Sequence, residues 1–248
     1  MSMYNRAGTG VQSWRNGCPI LPERLFNLAG FGVHKKRNIH LYIAIIASCL
    51  IVIIVLAVWL VKPSPEKLYE LGEKYYKGDG VKQDYAKAME YYGRAAKAGN
   101  TRAMYQVGRM YAMGDGVTQD YNIAFDWYTK AADAGYALGM FMVGQDYYIG
   151  MGDMEYDYDK AFEWFSRAAD AGEPNSMYCL GVMYHLGLSV DQNYSKALEW
   201  YMRSAETAKY PYAMHAIGEM YENGEGVKQD RAKAQEWYDK AEAAGYKG

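Results

Sequence analysis

The residues of this chain whose types and spacing could do chemistry lie first in the stretch MGDMEYDYD, residues 151–159. Its carboxylates alternate with other side chains, as the ligands of a calcium loop do. They are Asp153, Glu155, Asp157 and Asp159. A calcium loop that opened at Asp153 would need glycine at its sixth position and glutamate at its twelfth, where Tyr158 and Trp164 stand. The stretch therefore predicts no metal site, and it leaves Asp153 and Glu155 as candidate contacts to a partner.

Other patterns that could support catalysis or nucleotide binding are equally weak. Each Gly-x-Gly sequence from residue 65 onward follows a predicted helix and lacks a following Gly-Lys-Ser/Thr, so it indicates a turn and not a phosphate-binding loop. These sequences begin at Gly78, Gly114, Gly150 and Gly224. Neither His185 nor His215 has a His, Cys or Glu partner at the spacing of a zinc or nucleophile motif. The sequence predicts no catalytic residue, no cofactor and no metal.

The chain from residue 65 onward repeats itself. Glycines recur at intervals of 36 or 37 residues, at Gly72, Gly108, Gly144, Gly181 and Gly218. Around each glycine the apolar residues follow a helical pattern, and a second helical pattern follows a glycine-rich turn. A fixed period of this length is typical of a solenoid. The sequence predicts an all-α superhelix of five helix-turn-helix repeats, at about 65–100, 101–136, 137–173, 174–210 and 211–248.

The ends of the second helix in each repeat carry recognisable signals. Polar residues suited to an N-cap precede it, at Asp84, Asp120, Asp157, Asn193 and Asp230. Glycines suited to a helix end follow it at Gly99, Gly135, Gly172 and Gly245, and Lys209 replaces that glycine in the fourth repeat. Counting from these caps, Asp157 starts a helix and the stretch before it is a turn with one inserted residue. This register explains the acidic stretch better than calcium binding does.

A glycine inside a helix costs ~1 kcal/mol relative to alanine, so it needs a reason. We expect Gly108 to face the small residues Ala131 and Ala132, which would let the helices approach closely. Trp127 and Tyr111 would then fill the wider gaps. An aromatic residue matches Trp127 in every repeat, and this column is predicted to be core: Tyr91, Trp127, Trp164, Trp200 and Trp237.

The segments VGRMYAMGDGVTQDYNIAFDWYTKAADAG, 107–135, and IGEMYENGEGVKQDRAKAQEWYDKAEAAG, 217–245, resemble the Sel-1-like repeat, a relative of the tetratricopeptide repeat with a glycine-rich turn. The resemblance covers residues 65–248. It implies an α/α superhelix that binds proteins in bacterial envelope regulation, in secretion or in ER quality control, and some bacterial members neutralise toxins delivered between cells. Some secreted members have paired cysteines, whereas this region has Cys179 alone. The third and fourth repeats depart from the usual turn sequence.

The run from Leu41 to Val61 contains 21 residues and no charge. At ~1.5 Å per residue it is long enough to cross a hydrocarbon core of ~30 Å, so residues 40–62 are predicted to be a transmembrane signal-anchor helix. Residues 1–39 carry six of the 27 basic and one of the 29 acidic residues. A basic tail resists translocation, which favours a cytoplasmic tail and outward repeats.

These features predict a single-pass protein of the bacterial inner membrane with periplasmic repeats. The alternative is the ER membrane, where Asn193-Tyr194-Ser195 would be a glycosylation sequence. Residues 40–248 keep 21 basic and 28 acidic residues, an excess of negative charge that excludes the usual electrostatic footprint of nucleic-acid binding.

The partner surface is predicted on the first helix of each repeat, which stacked helical pairs present along a concave face. Positions there that do not serve packing are polar in the outer repeats and apolar in the middle ones. The apolar members are Met113, Met142, Ile149, Cys179, Val182 and Leu186. Together they would form one hydrophobic patch of the kind that marks partner sites. The alternative is that the superhelix curls enough to bury them against neighbouring repeats.

The function predicted from these observations is a non-catalytic, membrane-anchored scaffold or adaptor that binds another protein. It would serve in envelope regulation or as the immunity protein of a secreted toxin. One alternative is an envelope-polymer hydrolase with a convergent acid–base pair, and another is an ER quality-control adaptor. The fifth repeat ends the chain with a polar helix that either caps the solenoid itself or docks on a second copy, which would make a homodimer through the C-terminal repeat.

Overall fold

The structure, a computed structural model, describes residues 39–60, 63–153 and 155–247, with side chains described only for 42–54 in the first range. The chain divides into two compact units, Met1–Lys62 and Pro63–Gly248. The described part of the first unit is the helix α1, Ile39–Leu60. Among the described residues, no helix is long and apolar enough to cross a membrane. The predicted span from Leu41 to Val61 ends outside them and stays a prediction, as does the placement of the basic tail.

The described residues of the second unit form five helical hairpins. The first helices of the hairpins, called A helices, are α2 (Pro65–Lys77), α4 (Thr101–Met113), α6 (Ala137–Ile149), α8 (Pro174–Leu186) and α10 (Pro211–Asn223). The second, called B helices, are α3 (Tyr85–Lys97), α5 (Tyr121–Asp133), α7 (Tyr158–Asp170), α9 (Tyr194–Ala208) and α11 (Arg231–Ala243). Each A helix packs on its own B helix, and each B helix packs on the next A helix. The predicted all-α solenoid of five repeats is confirmed.

The unit 63–248 carries its own core. All four clusters of buried apolar residues are built from side chains between Leu68 and Tyr246. A region with a complete core of its own can fold without the rest of the chain. The fragment 63–248 is therefore a suitable sample for measurements on the repeats.

The helix ends follow the signals in the sequence. The Asp120 side chain accepts a hydrogen bond from the backbone N–H of Ile123 at 2.9 Å and so begins α5. The other predicted N-caps do the same for their own B helices: Asp84, Asp157, Asn193 and Asp230. Lys209 follows α9 in the left-handed region, with φ of 51°, where the other repeats use glycine. These predictions are confirmed.

The central glycine of each A helix lies against an aromatic ring of the B helix in the same repeat. A β-carbon at Gly181 would lie 2.4 Å from the ring of Tyr201, which is far inside van der Waals contact. The expectation that Gly108 faces Ala131 and Ala132 is wrong, because a β-carbon there would meet the Tyr128 ring at 2.7 Å. The remaining pairs are Gly72 with Tyr92, Gly144 with Phe165 and Gly218 with Tyr238.

In the first four repeats the buried aromatic is therefore the residue after the one that the sequence pattern favoured; in the fifth repeat that residue, Tyr238, is half-buried. Tyr128 is fully buried, whereas Trp127 is half-buried and packs at the edge of the preceding core. The outer face of Trp127 is covered by the Lys130 ammonium, 4.3 Å from the ring centroid. The same cation–π pair recurs in the other repeats: Tyr91 with Arg94, Trp164 with Arg167, Trp200 with Arg203 and Trp237 with Lys240.

The third repeat places a carboxylate where the second, fourth and fifth repeats place a core methionine. Two residues after the glycine, Met110, Met183 and Met220 are fully buried, and Asp146 holds the same position at 5% exposure. Among the described residues, no side-chain hydrogen bond or ion pair offsets the burial of the Asp146 carboxylate. Burial raises the pKa of Asp146 to about 7. The native repeat therefore keeps a proton there to a higher pH than the unfolded chain does.

Replacing Gly181 by alanine tests the contact between the central glycine and its ring. We expect Gly181→Ala to lower the free energy of unfolding by about 1–3 kcal/mol, because the new methyl group overpacks against Tyr201. The matched control is Gly93→Ala within α3, where a β-carbon would meet no atom within 4 Å. That change should raise stability by up to about 1 kcal/mol through helix propensity. Urea unfolding of 63–248 followed by circular dichroism measures both, and equal effects of the two changes would contradict the contact.

The raised pKa of Asp146 predicts that the stability of the repeats depends on pH. The unfolded carboxyl titrates near 3.8 and the folded one near 7, so the folded state binds more protons between these values. Stability should therefore fall as pH rises from about 4 to about 7, by at most roughly 4 kcal/mol. Asp146→Asn should remove this fall, and Asp146→Met should stabilise the fragment at neutral pH. The exposed Asp126→Asn is the control; a pH profile of Asp146→Asn that matches the Asp126→Asn profile would refute the assignment.

Candidate interaction surface

Three exposed apolar side chains stand at the ends of consecutive A helices. Met113, Ile149 and Leu186 are the last residues of α4, α6 and α8, and they are 64%, 49% and 57% exposed. Each precedes a glycine in the left-handed conformation that turns the chain towards the B helix. We call the end of a hairpin where the A helix stops and the B helix begins its tip. The A helix of each of the middle three repeats therefore ends on a large exposed apolar side chain.

The other three residues of the predicted patch lie elsewhere. Met142, Cys179 and Val182 are half-buried and pack at the edges of three different core clusters. Burial raises the pKa of the Cys179 thiol to about 12, so it stays protonated and unreactive at neutral pH. The structure thus divides the six residues into an exposed set at the tips and a packed set along the A helices.

The A helices stand side by side, which places successive tips next to each other. Between α2 and α4, the Gln106 amide donates to the Glu73 carboxylate at 2.7 Å. Tyr105 of α4 and Phe141 of α6 pack on one cluster, and Phe141 and Cys179 of α8 pack on the next. The exposed residues Met113, Ile149 and Leu186 therefore form a row.

Polar positions of the first two repeats serve the fold. The Glu73 carboxylate accepts hydrogen bonds from the Tyr92 hydroxyl at 2.7 Å and the Tyr69 hydroxyl at 3.1 Å. Burial opposes its charge, but these donors and Lys77 outweigh burial and lower the pKa of Glu73. The Tyr76 hydroxyl donates to Asp115 in the next repeat at 2.7 Å. Sequence comparison of the repeats could not assign these side chains to a network, because its hydrogen bonds join residues of different helices, up to 39 positions apart.

Both histidines of the repeats are held by packing. His185 lies edge-on to Tyr194, with ring centroids 5.2 Å apart, and its Nε2 is 3.5 Å from Glu225 of the next repeat. His215 stacks on Tyr246 with centroids 4.1 Å apart. Within the described residues, no group of three or more His, Cys, Asp or Glu side chains could hold a metal ion.

The tip of the third repeat is built differently from the other four. In those, a glutamine before the N-cap donates through Nε2 to a backbone carbonyl near the end of its A helix. These are Gln83, Gln119, Gln192 and Gln229. The third repeat has Tyr156 at this position and one additional residue between Gly150 and Asp157. The predicted register, in which Asp157 caps the B helix after a turn that is one residue longer, is confirmed.

The inserted turn exposes an aromatic side chain beside the row of apolar residues. Tyr156 is 67% exposed, and it lines an open cavity of about 510 Å³ together with Ile149, Gly150 and Glu155. Asp153 accepts a hydrogen bond from the Asn122 amide of α5 at 2.7 Å, so it ties the turn to the preceding repeat. Both candidate contact residues in this turn are exposed, and Glu155 is the one that borders the cavity.

The charges at the middle tips are all negative. The three tip segments are 113–120, 149–157 and 186–193, and together they contain six acidic residues and no Lys or Arg. The tips of the outer repeats include Lys77, Lys82 and Lys228. Two lysines stand just beyond these segments, in the first turns of α7 and α9: Lys160 lies 3.0 Å from Asp157, and Lys196 lies over the ring of Tyr184. The middle tip surface, defined by these three segments, therefore combines apolar anchors with carboxylates.

Comparison with solved structures gives relatives of this architecture. A Sel1 repeat protein from Oxalobacter formigenes is 30% identical, with a TM-score of 0.70, and the match covers 77% of this chain and 78% of that one. A protective antigen of uropathogenic Escherichia coli is 34% identical with a TM-score of 0.67, and this chain spans 38% of its length. An immunity protein, Pa5087 of Pseudomonas aeruginosa, is 21% identical with a TM-score of 0.51 over 73% of this chain and 67% of that one, a likeness of fold alone.

No curated protein matches the chain. The Sel1 repeat model matches five consecutive segments, residues 68–100, 101–136, 137–173, 174–206 and 211–246. These segments cover more than half of the chain, and each corresponds to one hairpin of the structure. The chain is a member of the Sel1 repeat family.

Proposed function

We propose that this protein is a non-catalytic scaffold whose middle tip surface binds a protein partner. Sel1 repeats typically mediate protein–protein interactions, and proteins built from them are generally scaffolds without catalysis. The observation that carries the proposal is the row of Met113, Ile149 and Leu186. Three large apolar side chains exposed on consecutive repeats cost solvation free energy unless a partner covers them.

The repeats would act outside the cytoplasm while the chain is anchored in a membrane. Support comes from the uncharged run of Leu41 to Val61 and from the basic residues before it. A scaffold in this place would serve in envelope regulation or neutralise a secreted toxin. The fold shared with Pa5087 supports the second role only to the extent that the same architecture occurs in an immunity protein.

The partner surface can be tested with neutral substitutions at the tips. Met113→Gln together with Leu186→Gln should weaken capture of the partner from an envelope extract by about 10-fold or more, because each change removes a buried apolar contact worth about 1–2 kcal/mol. The helical circular dichroism should not change, since both side chains are exposed. The matched control is Ala134→Gln with Ala171→Gln, exposed at the opposite ends of the hairpins. Equal capture by the two double variants would contradict the proposed surface.

The anchor can be tested independently of the partner. The full-length chain should remain in the membrane fraction after alkaline carbonate extraction, and a C-terminal alkaline phosphatase fusion should be active. Ile46→Lys with Ile53→Lys should release the protein, because each lysine at a helix centre costs ~2.5–3.5 kcal/mol in the bilayer. Release of the unchanged chain by carbonate would refute the anchor, and an inactive phosphatase fusion would refute the orientation.

A further inference from the structure

We propose that a cavity on the fifth hairpin binds the guanidinium group of an arginine side chain presented by a protein partner. The cavity is open, has a volume of about 310 Å³ and is lined by His215, Gln235, Tyr238, Glu242 and Tyr246. These residues come from α10, from α11 and from the segment after α11. They lie away from the tips, so the inference does not depend on the proposed function.

The cavity lies on the surface of the fifth hairpin that the next A helix covers in the first four. Phe162 of α7, for example, packs edge-on against Tyr184 of α8 with ring centroids 5.7 Å apart, and Gln235 holds the matching position of α11. Glu242 stands where the first four repeats have a buried alanine: Ala96, Ala132, Ala169 and Ala205. The fifth repeat thus replaces two packing residues by an amide and a carboxylate, which favours a polar ligand on this surface over another apolar helix.

Three aromatic rings form one side of the cavity. His215 stacks on Tyr246 with ring centroids 4.1 Å apart and lies 5.0 Å from the ring centroid of Tyr238. A planar guanidinium group packs favourably against such rings through cation–π attraction. The repeats already contain this kind of contact, since the Arg203 guanidinium lies 4.2 Å from the ring centroid of Trp200.

The carboxylates around the cavity favour a cation. Glu242 lines the cavity and is exposed. Glu222 accepts a hydrogen bond from the Tyr238 hydroxyl at 2.6 Å, and Glu219 lies 3.7 Å from Nδ1 of His215. Burial, the hydrogen bond to Glu222 and the charge of Glu219 raise the pKa of Tyr238, because all three oppose a negative charge on its oxygen. The same negative surroundings attract a positively charged ligand.

The basic side chains near the cavity do not neutralise these carboxylates. From residue 209 onward they are Lys209, Lys228, Arg231, Lys233, Lys240 and Lys247. None is in α10, and Lys233 and Lys240 of α11 lie over aromatic rings of their own repeat. Arg231 begins α11, about 16 Å along the helix axis from Glu242. Among the described residues, no Lys or Arg forms an ion pair with Glu219, Glu222 or Glu242.

A guanidinium group fits this site better than an ammonium group does. Its planar fork can donate two hydrogen bonds to the Glu242 carboxylate while one face lies against the ring of Tyr246. The Gln235 amide nitrogen donates to Asp239 at 2.9 Å, which leaves the amide oxygen to accept a further hydrogen bond from the ligand. Glu242 therefore pairs with the charge, Tyr246 covers the plane of the group, and Gln235 fixes its orientation.

The proposal is tested with the fragment 63–248 and two small probes. N-acetyl-arginine amide presents the guanidinium group, and N-acetyl-citrulline amide is its neutral isostere. Shifts of the backbone amide resonances of residues 235–246 report binding. The arginine probe should bind at least about 10-fold more tightly than the citrulline probe, and more weakly as salt rises. Equal binding of the two probes would overturn the proposal.

Substitutions locate the bound probe. Glu242→Gln should weaken binding of N-acetyl-arginine amide by about 5-fold or more, and Tyr246→Leu by about 3-fold or more. The matched control is Glu236→Gln, an exposed carboxylate of α11 outside the cavity lining, which should leave the affinity unchanged. The helical circular dichroism should be the same in all three variants. An affinity that Glu242→Gln and Glu236→Gln change equally would refute the site.

Two further measurements separate other occupants of the cavity. Free arginine carries a carboxylate that the site repels, so it should bind more weakly than N-acetyl-arginine amide; tighter binding by 10-fold or more would overturn the protein partner in favour of a small-molecule ligand. Sedimentation of the fragment should show a monomer. A dimer that Tyr246→Leu dissociates would overturn the proposal in favour of a second copy of this chain.

Discussion

The contact between a glycine of each A helix and an aromatic ring of its B helix sets the distance between the two helices of every hairpin. At Gly181 the ring of Tyr201 occupies the space that a β-carbon would need, and the same holds in all five repeats. Each of the five glycines lowers the stability of its helix relative to alanine. We infer that the close packing it allows stabilises each hairpin by more than this loss. This ring fills the core. The aromatic residue just before it in sequence lies at the edge of the core, and a Lys or Arg side chain covers its outer face.

The core positions are similar in all five repeats, so the differences between repeats lie at the other positions of the A helices and tips. The polar groups of the first two repeats, such as Glu73 and Gln106, satisfy one another across the junction between hairpins. The apolar residues that distinguish the middle repeats occupy two kinds of position. Those along the A helices pack into the core edges, whereas those at the tips stay in solvent because the chain turns away immediately after them.

The third repeat concentrates the departures from the common pattern. It has a carboxylate in a methionine position, an inserted turn residue, and Tyr156 in place of the glutamine that braces the other tips. Asp146 lies four residues before Gly150, so the destabilising core residue and the altered turn belong to one local structure. Natural proteins break local folding rules mainly where function requires it, and this repeat lies at the centre of the middle tip surface.

The sequence alone determined the repeat, the helices and their caps, since these depend on neighbouring residues and a fixed period. Asp120 and Lys209 could be assigned as helix ends because local hydrogen bonds and backbone geometry decide such positions. Only the tertiary structure decided which aromatic residue fills the core. Successive residues on a helix point about 100° apart, so the pattern could not distinguish Trp127 from Tyr128 until the position of the neighbouring helix was known. For the same reason the burial of Asp146 and the exposure of Leu186 follow from how the hairpins stack, which no single repeat encodes.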